Sequence, residues 1–66
     1  MNFETKVLAV VKSITDTSAY FFNGTLFVET TDSEVAVRVF NGLRKQVTAA
    51  IAFVQVDGNE TSYDFI

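Results

Sequence analysis

Ser18-Ala19-Tyr20-Phe21-Phe22-Asn23-Gly24-Thr25-Leu26-Phe27-Val28-Glu29-Thr30 is the stretch that decides the fold. Two β-prone runs flank Asn-Gly, a dipeptide that tolerates the positive φ angles of a type I′ turn. The stretch predicts a tight antiparallel hairpin. In its register Phe22 faces Thr25, Phe21 faces Leu26, Tyr20 faces Phe27 and Ala19 faces Val28.

Working outward, residues 50–56 and 61–66 form a second pair of β-prone runs around Asp57-Gly58-Asn59-Glu60, which predicts another hairpin. The segments before each hairpin have helical spacing. Phe3, Val7, Val10, Val11 and Ile14 fall on one helical face, with Asn2 placed to cap its start. The same segment is rich in β-branched residues, so a strand is the competing reading. Thr31-Asp32-Ser33-Glu34 fits a capping box with Thr31 as the cap. Ala36, Val39, Phe40, Leu43 and Val47 then trace a core stripe. Gly42 interrupts this second helix at a cost of about 1 kcal/mol, yet the stripe continues, and the helix is expected to end near Gln46. The resulting fold class is α+β: two helices packed on a four-stranded antiparallel sheet, in the order αββαββ, with ββαββ as the alternative. The doubled helix-strand-strand pattern comes with little residue identity between its halves, so coincidence explains it better than duplication. No Pro, no low-complexity run and no clustered Gly marks a linker, so residues 1–66 read as a single domain.

Alternation assigns the side chains of each strand to two faces. One face of the first hairpin carries Ala19, Phe21, Leu26 and Val28; the other carries Tyr20, Phe22 and Phe27 with Ser18, Thr25 and Glu29. In the second hairpin Ala50, Ala52, Val54, Val56, Tyr63 and Phe65 share one face. Ile51, Phe53 and Ile66 share the other with Gln55, Ser62 and Asp64. Both sides of the sheet are therefore rich in apolar groups, and two short helices shelter one side. A domain of this size buries only about 60% of its unfolded surface. The expectation is a second buried face, in which Tyr20, Phe22, Phe27, Phe53 and Ile66 contact another copy, with a symmetric dimer the simplest closed arrangement.

Composition narrows the chemistry. Five basic residues stand against eight acidic ones, for a net charge of −3. That balance disfavours nucleic acid and anionic membranes, whose partners need a positive footprint. The aromatics on the open sheet face resemble a base-stacking platform, but every Lys and Arg lies in the two expected helices. No apolar run approaches the ~20 residues of a membrane span, and the start of the chain lacks a basic-then-apolar leader. With no Cys, the cytoplasm is the expected location.

The chain has no His and no Cys, which removes the usual imidazole bases, thiolates and zinc sets. Asp16-Thr17-Ser18-Ala19 differs from the Asp-Thr-Gly-Ala loop of aspartic proteases at its Gly, and Thr15 stands where an apolar residue is usual; it reads as a connecting loop. Asp57-Gly58-Asn59-Glu60 lacks the twelve-residue ligand spacing of a helix-loop-helix calcium site and reads as a turn. Asn23-Gly24-Thr25 and Asn59-Glu60-Thr61 match the glycosylation acceptor pattern, but without a secretory segment both read as turn chemistry that happens to end in Thr. No catalytic, cofactor-binding or metal site is expected. The function expected is that of a small, non-catalytic interaction or assembly protein. The alternative is an acidic inhibitor or decoy, of bacterial or viral accessory type, that binds a basic or hydrophobic site on a larger protein.

Overall fold

The computed structural model describes residues 2–66. Its elements are α1 (Phe3–Ile14), β1 (Ala19–Phe22), β2 (Thr25–Val28), α2 (Ser33–Gln46), β3 (Ile51–Asp57) and β4 (Glu60–Phe65). The order is αββαββ, and the first segment is a helix. Asn2 caps it, accepting a 2.8 Å hydrogen bond from the Thr5 amide. No helix among the described residues is long and apolar enough to cross a membrane.

The first hairpin takes the register read from the sequence, Ala19 with Val28 through Phe22 with Thr25. Asn23 and Gly24 both have positive φ, 49° and 79°, as a type I′ turn requires. In the second hairpin the two loop residues are Gly58 and Asn59, with positive φ at Gly58. All strand pairs are antiparallel, in the order β1-β2-β4-β3. The second strands of the two hairpins thus meet at the centre, Leu26 opposite Tyr63 and Val28 opposite Thr61.

The helices lie on the face that carries those four residues. Leu26, Val28, Thr61 and Tyr63 are fully buried, as are Val7, Val39 and Leu43. Tyr63 ties the layers together, because its hydroxyl donates a 2.8 Å hydrogen bond to the Ala36 carbonyl of α2. The buried Thr61 hydroxyl donates to the Thr30 carbonyl at 2.7 Å, so neither polar tip is left without a partner. Phe65 packs edge-to-face with Phe3 of α1, their ring centroids 5.2 Å apart, and its centroid lies 6.1 Å from that of Phe21.

Gly42 has a packing role that explains why the helix runs through it. A Cβ there would lie 2.6 Å from Ile14 Cδ1 and 3.3 Å from Val10 Cγ1, both on α1. The absent side chain lets α1 and α2 approach each other.

Two local readings are corrected. The cap of α2 is Asp32, one residue later than Thr31: its carboxylate accepts from the Glu34 amide at 2.9 Å, while the Asp32 amide donates to Thr30 Oγ1. The second correction concerns Ile51. Pairing steps from Ile51–Phe65 to Phe53–Asp64, leaving Ala52 as the extra residue of a bulge. One inserted residue reverses the alternation, so Ile51 packs against the core and leaves the outer face to which its sequence parity assigned it.

Two substitutions test these local constraints. Gly42→Val should destabilise the fold by about 1–3 kcal/mol, because Ile14 and Val10 fill the space its side chain needs. Thr48 has a left-handed φ of 53°, strained for a β-branched residue. Thr48→Gly should stabilise by about 0.5–1 kcal/mol, since relief of the left-handed strain exceeds the added entropy of the unfolded chain. Urea unfolding followed by circular dichroism measures both.

Candidate functional site

The sheet surface away from the helices is the candidate site, and strand order arranges it in three rows. Phe22, Thr25, Asp64 and Phe53 form the first row; Tyr20, Phe27, Ser62 and Gln55 form the second. At the far end Glu60 and Asp57 pair on β4 and β3, with Glu29 just beyond β2. Tyr20 and Phe27 stack at 5.4 Å with an interplanar angle of 17°. Phe22 is 63% exposed, Phe53 55% and Tyr20 40%, whereas Phe27 is half-buried beneath its neighbours.

Of the five residues read from the sequence as contacts, the structure groups three. Tyr20, Phe22 and Phe27 form one patch on the β1–β2 side. Phe53 shares their face but lies across β4 from them, about 14 Å from Phe22 at ordinary strand spacing. Ile66, 92% exposed, follows the end of β4 and borders a groove with Phe40, Arg44 and Ala50 on the helical side. The sequence did not reveal this separation. β4 is the more polar strand of its hairpin, and only the tertiary pairing inserts its Ser62 and Asp64 between the aromatics.

Electrostatics sharpen the picture. Glu29, Asp57, Glu60 and Asp64 lie on this face, and all five basic residues lie in α1 or α2. Two of the carboxylates are tied to neighbours: Tyr20 donates a 2.7 Å hydrogen bond to Glu60, and Thr25 donates a 2.6 Å bond to Asp64. The bond to Glu60 is the main reason the Tyr20 phenol is held above its ordinary value, with partial desolvation and the negative charges of Glu60 and Glu29 adding to it. A phenol held in its neutral form, with its O–H directed at Glu60, is a hydrogen-bonding anchor.

The described residues contain no cluster of metal-ligating side chains. Asp16 is an exposed loop residue that lines a depression together with Leu8, Val11, Lys12 and residues 17–19. What the outer face offers is aromatic area, acidic charge and hydroxyl groups already engaged with one another. Compared with known proteins, the chain matches no family model, no curated protein and no solved structure.

The tyrosines give a pH test of the two faces. Burial pushes Tyr63 up to about 12 from the ordinary 10.0. Unfolded chains lose that proton near 10 while the folded state keeps it, so the unfolded form binds fewer protons and stability falls as pH rises through this window. Chemical denaturation between pH 9 and pH 12 should show the decline, and Tyr63→Phe should flatten it. On the outer face Glu60→Gln should return the Tyr20 phenol toward its ordinary value, followed by ultraviolet titration.

Proposed function

We propose that this chain is a non-catalytic protein-interaction module that self-associates, in the simplest case as a dimer, through the outer face of its sheet. The exposure of Phe22, Phe53 and Tyr20 on a face that no helix covers carries this reading. Apolar area of that kind is usually covered by a partner. The contact centres on Phe22 with Tyr20 and Phe27, because a copy rotated about that patch leaves Asp64, Glu60 and Asp57 at the rim. A full face-on-face stack would instead press like charges together, which is costly. Phe53 then lies at the periphery, and Ile66 belongs to the helical side.

The absence of Lys and Arg from the face favours a second reading, in which it binds a basic site on a larger protein. Carboxylates flanked by aromatic rings suit an Arg- or Lys-bearing surface, through ion pairs and cation–π contacts. The same lack of positive charge weighs against nucleic acid as the partner.

Light scattering across micromolar to millimolar concentration separates the two. Self-association predicts a mass that rises above 7.3 kDa with concentration. Phe22→Glu should lower the state of association while helix content stays intact. A concentration-independent single-chain mass, together with salt-sensitive capture by a basic protein surface, would replace the first reading with the second.

A further inference from the structure

The outer face does not account for every large apolar side chain left open. Val37, Val54 and Val56 are 56%, 37% and 52% exposed, and all three belong to the other side of the sheet. Val54 and Val56 pair with Tyr63 and Thr61, so they point to the helical side, yet neither is roofed over. Val37 shares a flank of α2 with Phe40 and Arg44, three and seven residues further on. That flank is turned away from Gly42, which meets α1, and it borders the start of β3 at Ala50 and Ile51.

β3 is also an edge strand with few of the usual protections. Because the loop between β3 and β4 has two residues, Asp57 and Glu60 form a hydrogen-bonded pair, and Gln55 and Phe53 likewise turn their backbone groups toward β4. Val54 and Val56 therefore direct their N–H and C=O groups outward. Edge strands are commonly blunted by shortness, Pro, Lys or bulges. The opposite edge, β1, has four residues; β3 has seven, with no Pro, no basic residue and one charge, at Asp57. Its bulge lies at the start and leaves Phe53 to Asp57 regular.

We propose that β3 pairs antiparallel with β3 of a second copy, across a two-fold axis at Gln55, joining two sheets into one. This contact extends the self-association reading and uses a different surface. The edge is complementary to itself in that register. Val54 lies opposite Val56 of the second copy, and each such pair exchanges two backbone bonds. Four valines meet on the helical side, where the Val37 flanks approach from either copy and cover them. On the outer side Gln55 meets its own copy, so amide donor and acceptor match. Asp57 falls opposite Phe53 of the second copy. The two Asp57 residues are then about 13 Å apart, four residues of strand rise, which exceeds the screening length of about 8 Å at physiological salt.

The Phe22→Glu chain, in which the outer-face contact is weakened, is the background for the test. It should still form dimers through β3, with twice the single-chain mass. The Val54 and Val56 amides should exchange with deuterated solvent at least tenfold more slowly at millimolar than at micromolar concentration. Adding Val56→Pro removes one outward N–H and leaves every donor to β4 in place; it should return the mass to one chain. Val54→Lys, which leaves the backbone unstrained, should do the same if the proline variant unfolds. Single chains at every concentration in the Phe22→Glu background, or concentration-independent exchange at Val54 and Val56, would overturn edge pairing while the outer-face contact stands. A Phe22→Glu chain that associates as strongly as the parent, and dissociates only with Val54→Lys, would remove the outer-face contact and keep the edge.

Discussion

Tyr63 sits where the two layers of the molecule meet, fully buried, with its hydroxyl on the Ala36 carbonyl of α2. That one bond places α2 over β4. A buried phenol without an acceptor would cost about 1–3 kcal/mol, so helix and strand are held in this relation. The position of α1 follows from α2, because Gly42 admits Val10 and Ile14 at close range. With α2 over β4 and α1 beside it toward β1, the helical layer stops short of β3. The exposure of Val54 and Val56 is a consequence of that offset, and the outer face is bare because both helices lie on the other side of the sheet.

Two different kinds of open surface result. On the outer face, aromatic rings lie on either side of a polar central strand, and three of the four acidic groups collect at one end. At the β3 edge, unpaired backbone groups run beside Val54 and Val56. The first surface offers area and charge, and the second offers directional hydrogen bonds. Backbone pairing specifies geometry, while the aromatic patch discriminates by shape and charge, so the surfaces suit different tasks. The separation of charge between the layers reinforces this. Basic residues stay with the helices, and the outer face is left acidic.

Much of the fold was legible in local signals. Asn23-Gly24 specified the turn and, through it, the pairing of β1 with β2 residue by residue. The helical spacing of Val7, Val10 and Val11, and of Ala36, Val39 and Leu43, located the faces that the structure buries. Less legible were features that depend on a single residue of slippage. Ala52 has no sequence mark of a bulge, yet it turns Ile51 inward. Thr31 and Asp32 are both competent caps, and the hydroxyl of Thr30 settles the matter by engaging the Asp32 amide.

The amino-acid sequence by itself determined the two hairpins, the second helix and the inner face of the first hairpin, because turn chemistry and side-chain periodicity act over a few residues. The structure resolved the first segment, open between helix and strand, as α1. Only the tertiary structure decided that β4 lies at the centre and β3 at the edge. Strand order depends on how the two hairpins meet beneath the helices, between residues such as Leu26 and Tyr63 that are far apart in the chain. That meeting places Asp64 and Ser62 between Phe27 and Phe53, so one apolar face in the sequence becomes two patches in the fold. It also leaves Val54 and Val56 at an open edge, where no local pattern could have placed them.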